Sequence, residues 1–165
     1  MNLGAEGATG TYIGLIGADT EATKADLVNA AEVGRLLAAA GAVLVCGGGG
    51  GVMEAGCHGA SSVGGLTVGL LPGLRRDAGN RYLSVSIPTG MGDLRNGLIV
   101  RSSQALIAVG GGWGTLSEIA LARKAGLVVA ALGSWELPRH PLVMTQTPTQ
   151  AVSVALDAAG RVAAR

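Results

Sequence analysis

The sequence predicts an α/β fold: a single doubly wound domain with a mainly parallel sheet of about six strands and helices on both faces. Short apolar runs alternate with helical patterns along the chain. The composition is 48% hydrophobic but only 2% aromatic, and a core of Ala, Val, Leu and Ile suits strands that helices cover on both sides. The 29 glycines cluster at the links between strands and helices, where tight turns or ligand contact require them. A length of 165 residues makes one domain the default.

Apolar runs bounded by glycine, proline or polar residues predict the strands. In chain order they cover residues 12–16, 42–46, 66–71, 83–87, 105–109 and 127–131. The helices are predicted over residues 20–40, 52–63, 94–102, 115–125 and 148–159. Asp19 or Thr20, Asp93 and the Thr147-Pro148 pair supply capping signals. Apart from a polar loop between the third and fourth strands, this order requires parallel strands joined by right-handed crossovers.

Several classes of protein are disfavoured by composition. The formal net charge is +1 and the 12 basic residues are scattered, so a nucleic-acid surface is not expected. No stretch reaches the ~20 apolar residues that span a bilayer. Residues 1–10 read as a flexible tail without a signal peptide, followed by one domain over residues 11–165. Cys46 and Cys57 lack a CxxC spacing, so neither zinc nor a disulfide is indicated, and a cytoplasmic location is expected.

Two glycine loops, residues 47–51 and 110–114, each follow a predicted strand and precede a predicted helix. Each can offer backbone N–H groups and the positive end of a helix dipole to an anion at the carboxyl edge of the sheet. No GKS or GKT follows and neither loop is a clean GxGxxG, so ATP hydrolysis and ordinary NAD binding are disfavoured. Glycines can also simply permit tight turns, but two such loops in one small domain favour phosphate binding.

The segment from Gly111 to Glu118 reads GGWGTLSE. This GGxGTxxE pattern resembles the signature of the LOG-like family, once labelled "possible lysine decarboxylases", which has a Rossmann-like fold. The resemblance extends over most of the chain, because the family also has a glycine after its first strand, a glycine-rich segment ending in methionine, and an arginine upstream of the motif. It implies a set of ligand-binding or phosphate-binding residues: Gly17, Gly49, Gly50, Gly51, Val52, Met53, Gly111, Gly112, Trp113, Gly114 and Thr115.

In the enzymatic branch, phosphoribohydrolases release a cytokinin-type base from its ribose monophosphate, and the resemblance makes Arg95 and Glu118 the catalytic pair. A carboxylate can stabilise the positive charge that develops on ribose, while arginine can hold phosphate or an activated water. Glu118 has an alternative role, because Thr115-x-x-Glu118 is also a capping box. Arg95 could equally be a surface residue at a helix start. Pyridoxal chemistry is rejected, since Lys24 and Lys124 are ordinary helix residues.

Two departures separate this chain from the enzymatic branch. Gly110 stands where that branch usually has proline, and Asn96 stands where it has lysine. With the short length, these departures resemble the branch that includes molybdenum cofactor carrier proteins, which bind rather than cleave. The resemblance also implies a homodimer or homotetramer.

The sequence therefore predicts a protein that binds a phosphate-bearing nucleotide or pterin-type ligand at the carboxyl edge of a parallel sheet. The ligand would be a molybdopterin-type cofactor or a nucleotide monophosphate, and Arg75, Arg76, Arg95 or Arg101 could meet its anionic groups. A nucleoside 5′-monophosphate phosphoribohydrolase and a non-catalytic sensor or scaffold remain alternatives. Trp113 could stack on a base or pterin, or pack against another subunit. No metal site is predicted, because the Glu54 and His58 spacing is commonplace.

Overall fold

A computed structural model of the chain describes residues 10–139 and 142–163. Its strands are β1 (Tyr12–Gly17), β2 (Val43–Cys46), β3 (Thr67–Leu71), β4 (Val85–Pro88), β5 (Ala105–Val109), β6 (Val129–Leu132) and β7 (Val143–Thr145). They form one seven-stranded sheet in the order β4-β3-β2-β1-β5-β6-β7. Every neighbouring pair is parallel. The chain order therefore reverses beside β1, between β2 and β5.

The helices are α1 (Lys24–Ala39), α2 (Gly51–Ser61), α3 (Asn96–Arg101), α4 (Trp113–Lys124) and α5 (Pro148–Ala163). Helices α1, α2 and α5 share one apolar core with Ile13 and Leu15 of β1. Helices α3 and α4 share the other core with Ile16 of the same strand. Successive β1 side chains point to opposite faces, so both faces of the sheet are covered and the predicted doubly wound α/β class is confirmed. Within the described residues, no helix is long and apolar enough to cross a membrane.

Three of the differences from the predicted elements bear on the sheet and on the site. Strand β7, a half-exposed edge strand of three residues, is too short to give an apolar run, so the sheet has seven strands rather than about six. Helix α1 begins at Lys24 because Thr23 caps it: the Thr23 hydroxyl accepts from the Asp26 N–H at 3.1 Å, and the Asp26 carboxylate accepts from the Thr23 N–H at 2.9 Å. Helix α3 begins at Asn96, after the short 3-10 turn Gly92–Arg95.

The reversal of strand order creates a crevice outside the carboxyl end of β1. The later start of α1 leaves residues 18–22 as a loop at that end. Residues 47–50 leave β2 and residues 110–112 leave β5 on either side of it. The predicted glycine loops therefore flank one crevice. Residues 1–9 of the predicted tail lie outside the described residues.

Helices α1 and α2 pack at backbone distance because glycines face each other across their contact. A Cβ at Gly34 of α1 would overlap the carbonyl oxygen of Gly56 of α2, and one at Gly59 would overlap the carbonyl oxygen of Ala31. Backbone atoms cannot withdraw as a flexible side chain can. The two helices can therefore pack this closely only with glycine at these positions.

We expect Gly34→Ala to lower the free energy of unfolding by roughly 1–3 kcal/mol, because the added methyl group forces α1 away from α2. Gly160→Ala is the matched control, since nothing lies within 4 Å of a Cβ at Gly160 of α5. That control should be stabilising by roughly 0.4–1 kcal/mol. Urea unfolding measures both changes, and equal effects of the two substitutions would contradict the close packing.

Candidate functional site

A cavity of about 300 Å³ occupies the crevice at the carboxyl end of β1. The loop after β1, the first turns of α4 and the segment before α3 form its walls. Its lining residues are Gly17, Ala18, Asp19, Thr20, Glu21, Met53, Asp93, Arg95, Asn96, Gly112, Trp113, Gly114, Thr115 and Glu118. The cavity is thus built at the position where doubly wound folds bind ligands.

The turn between β5 and α4 brings the GGxGTxxE motif to this cavity. Gly110 has φ 56° and Gly111 has φ 148°, which L side chains rarely adopt. The chain can therefore turn sharply, with Gly112 as the N-cap of α4. The Thr115 hydroxyl caps this end of the helix, because it accepts a hydrogen bond from the Gly112 N–H at 3.4 Å.

The predicted capping box of Thr115 and Glu118 is therefore wrong. Because α4 begins at Trp113, Thr115 rather than Glu118 is the third helical residue. Glu118 lies in the second turn, and it lines the cavity. The glutamate of the motif does not cap the helix.

Glu118 is a buried carboxyl group with few partners. The residue is 6% exposed, and the described part of the chain provides no hydrogen bond to its carboxylate. Nη1 of Arg95 lies 3.8 Å from its Oε1. Burial raises the pKa of Glu118 to about 7, although the charge of Arg95 lowers it in part. Near neutral pH the group can therefore either hold or release a proton.

Arg95 is fixed by a chain of hydrogen bonds that reaches α4. Its Nη1 donates to Oδ1 of Asn96 at 2.6 Å, and Nδ2 of Asn96 donates to the Ser117 hydroxyl at 3.0 Å. The Ser117 hydroxyl in turn donates to the carbonyl of Gly114 at 2.7 Å. Nε of Arg95 is buried, with no hydrogen-bond partner among the described residues. Asn96 thus links the guanidinium to the motif.

The glycine loop after β2 makes room for the same guanidinium. A Cβ at Gly47 would lie 2.6 Å from Nη2 of Arg95. Beyond Arg95 lies a second cavity of about 290 Å³, bounded by the ends of β2 and β3 and sharing Asp19, Met53 and Arg95 with the first. The two cavities therefore adjoin, with Arg95 on the wall of both.

Acidic side chains face both glycine loops. A Cβ at Gly50 would lie 2.7 Å from Oδ1 of Asp19, and one at Gly112 would lie 2.8 Å from Oε2 of Glu21. With Asp93 and Glu118, the cavity is lined by more carboxyl groups than guanidinium groups. Arg95 and the backbone N–H groups are therefore what would attract an anion to this cavity. Protonation of a carboxyl group would remove part of the electrostatic repulsion.

The structure brings together most, but not all, of the site residues predicted from the sequence. Those that line the first cavity are Gly17, Met53, Arg95, Gly112, Trp113, Gly114, Thr115 and Glu118. Gly49 lines the second cavity, and Gly111 lines a smaller one beside Trp135. Gly50 and Gly51 form the start of α2. Val52 is wholly buried and lies against Gly17. A Cβ at Gly17 would lie 2.5 Å from Cγ1 of Val52.

Sequence reasoning missed the lining residues Ala18, Asp19, Thr20, Glu21, Asp93 and Asn96. These residues belong to no glycine motif. Residues 18–21 could have been predicted from their position directly after β1, the central strand of the sheet. Among the arginines offered for anion binding, Arg75 pairs with Asp77 on the surface. Arg76 donates to the carbonyl of Ser86, and Arg101 ends α3. These three arginines lie outside the cavity lining.

The cysteines lie close together in the core. Both are buried free thiols, with their Sγ atoms 3.6 Å apart. His58 packs its ring against Tyr82 at a centroid distance of 4.6 Å. Within residues 10–139 and 142–163, no cluster of three or more His, Cys, Asp or Glu side chains is arranged to hold a metal ion.

The parallel sheet, the reversal at β1 and the GGxGTxxE turn define a Rossmann-like protein of the LOG-like class. The family model that matches the chain makes the assignment narrower. It covers residues 10–160 and describes the SLOG cluster4 family. The chain belongs to this family.

Three relatives extend the comparison. An uncharacterized protein of Archaeoglobus fulgidus is 45% identical over 150 residues, which are 88% of this chain and 94% of that protein. The molybdenum cofactor binding protein of the phototrophic bacterium Rippkaea orientalis superposes with a TM-score of 0.84 at 34% identity, over 92% of this chain and 98% of that one. The Moco carrier protein of Chlamydomonas reinhardtii gives 0.83 at 32% identity, over 92% and 99%.

Because Glu118 is buried, we expect the free energy of unfolding to depend on pH. Its pKa in the folded protein is about 7 against an ordinary value of 4.5, so the folded state holds the proton more tightly than the unfolded chain. The resulting stabilisation is complete below about pH 4.5 and is lost as the pH rises to 7.

We therefore expect Glu118→Gln to gain stability relative to the native protein as the pH rises from about 4.5 to 7, by about 3 kcal/mol at most. Denaturant unfolding at several pH values measures the difference. Glu32→Gln is the control, because Glu32 is a surface partner of Arg35. A Glu118→Gln difference that stays constant between pH 4.5 and 8 would contradict the raised pKa.

Proposed function

We propose that this protein binds the molybdenum cofactor, or a phosphate-bearing pterin of similar chemistry, and holds it without turnover. The observation that carries the proposal is the position of the Arg95 guanidinium on the wall shared by two cavities. A hydrogen bond of 2.6 Å from its Nη1 to Oδ1 of Asn96 holds it there. The likeness to the molybdenum cofactor proteins of Rippkaea orientalis and Chlamydomonas reinhardtii supports it. The cofactor is cargo in this proposal.

The dimensions of the site suit a ligand with more than one part. The two adjoining cavities measure about 300 and 290 Å³, which together exceed the needs of a phosphate or molybdate ion. The start of α4 at Gly112 offers N–H groups and a helix dipole to a phosphate. The cavity beyond Arg95 leaves space for a second group. A pterin that carries both a phosphate and a molybdenum oxyanion has this form.

The electrostatics make retention of an anion depend on pH. Arg95 is the one cation among the described lining residues. Its Nε has no partner in residues 10–139 and 142–163 and can donate a further hydrogen bond. Glu118 opposes an anion when it is ionised and not when it is protonated. Since its pKa is about 7, binding of an anion is linked to proton uptake near neutral pH and is stronger on the acid side.

Replacement of Arg95 tests the proposal. We expect protein expressed in a cofactor-producing host to copurify with molybdenum and pterin, measured by elemental mass spectrometry and by pterin fluorescence. Arg95→Ala should retain at least about tenfold less, because hydrogen bonds to charged groups contribute roughly 1.5–3 kcal/mol each. Arg101→Ala, at the C-terminal end of α3 and outside the lining of both cavities, should retain as much as the native protein. Equal retention by both variants, or none by native protein, would remove the proposal.

A second function is favoured by one specific observation, which is the buried carboxyl group of Glu118, 3.8 Å from Nη1 of Arg95. A glutamate with a pKa of about 7 can act near neutral pH as a general acid or base. With a nucleoside 5′-monophosphate as substrate, the carboxylate of Glu118 could stabilise the positive charge that develops on ribose while the N-glycosidic bond breaks. Water would then add to the anomeric carbon and lose a proton to the carboxylate of Glu118, and the leaving base would take up that proton. Arg95 would hold the phosphate.

This phosphoribohydrolase hypothesis predicts that AMP is converted into adenine and ribose 5-phosphate. Chromatography of AMP incubated with purified protein detects free adenine. Glu118→Gln should lower the rate by about 10²–10⁴-fold, the usual contribution of a general acid or base, whereas Glu32→Gln should leave it unchanged. If AMP and related monophosphates, including a cytokinin monophosphate, all stay intact, the protein binds without cleaving.

A further inference from the structure

The two tryptophans of the chain, Trp113 and Trp135, pack against each other beside the first cavity, whose lining includes Trp113. Trp113 begins α4 and Trp135 lies in the loop after β6. Their ring centroids are 5.6 Å apart, with planes inclined by 40°. Nε1 of Trp135 donates to the carbonyl of Gly112 at 3.3 Å. Trp135 is therefore attached to the glycine turn, and its ring supports that of Trp113.

Neither tryptophan belongs to the fully buried core. Among the described residues, the buried hydrophobic side chains are aliphatic or sulphur-containing and include no aromatic ring. Trp113 is 79% exposed although it is the largest kind of apolar side chain. It also lines the cavity. An indole that adds nothing to the core, and is held at the rim of a polar cavity, is available for contact with a ligand.

We propose that Trp113, supported by Trp135, is a platform on which a planar heteroaromatic ring of the ligand stacks. This inference rests on the proposed function and narrows it to ligands that carry both a phosphate and a fused ring, such as purine or pterin. Trp113 and Glu118 are separated by a helical rise of about 7.5 Å on α4. A ring with a phosphorylated side chain is long enough to extend from one to the other.

Stacking predicts a preference that the polar part of the site cannot produce. GMP, AMP and ribose 5-phosphate offer the same phosphate, but the sugar phosphate lacks the ring. Guanine also shares the amino-oxo-pyrimidine ring of a pterin. Alanine substitution of a stacking aromatic costs roughly 5- to 150-fold in affinity per base. We expect the native protein to bind GMP and AMP at least about tenfold more tightly than ribose 5-phosphate.

The test is calorimetric titration of native protein and variants with these probes, with chromatography confirming that the nucleotides stay intact. Trp113→Ala should abolish the preference for nucleotides and leave affinity for ribose 5-phosphate within about twofold. Trp113→Phe should retain most of the preference, because the phenyl ring still stacks. Leu74→Ala is the control, since Leu74 is 85% exposed and lies outside both cavities. In Trp135→Phe, the fluorescence of Trp113 should be quenched by GMP and not by ribose 5-phosphate.

Distinct outcomes separate failure of the platform from failure of the proposed function. Equal affinity of native protein for all three probes would overturn the platform and leave the phosphate site intact. Trp113→Ala is also compared with the native protein by size-exclusion chromatography. A changed elution volume with the nucleotide preference preserved identifies Trp113 as a contact between copies and also overturns the platform. If the native protein binds none of the probes, the phosphate-bearing ligand class fails and the platform fails with it.

Discussion

The site depends on placing one guanidinium and one carboxyl group together below the surface. A buried charge is costly unless it has partners, and at 3.8 Å Arg95 and Glu118 give each other only part of that compensation. The remaining support comes from segments distant in sequence. Gly47 leaves space for the guanidinium, and its neighbour Asn96 connects it to Ser117 of α4. The strand order is what brings these segments to one edge of the sheet.

The same arrangement makes the site a local cost to stability. Burial raises the pKa of Glu118, and Nε of Arg95 is buried with no hydrogen-bond partner in the described part of the chain. A stability-optimised core would fill this space with aliphatic groups. Groups left unsatisfied in a cavity are instead typical of sites that complete their hydrogen bonds with a ligand.

The carboxylates at the glycine loops refine the simple expectation of a phosphate cradle. Asp19 lies beside Gly50 and Glu21 beside Gly112, where a helix dipole would otherwise attract a free anion without competition. A ligand must therefore do more than present negative charge. Selectivity for a larger ligand is consistent with two adjoining cavities and with an exposed indole at the rim. In the proposed binding function, the balance between Arg95 and the carboxyl groups makes affinity for an anion depend on the protonation of Glu118.

The sequence by itself determined the doubly wound fold, strand β5 and the location of the GGxGTxxE turn. These features follow from local periodicity, aliphatic composition and turn chemistry, which neighbouring residues encode. The tertiary structure decided that α4 begins at Trp113, so that Glu118 lines the cavity instead of capping the helix. It also decided that Arg95 reaches Gly47, that Asn96 reaches Ser117 across 21 positions, and that the two tryptophans meet. Such contacts depend on strand order and helix starts, which set distances between residues remote in sequence.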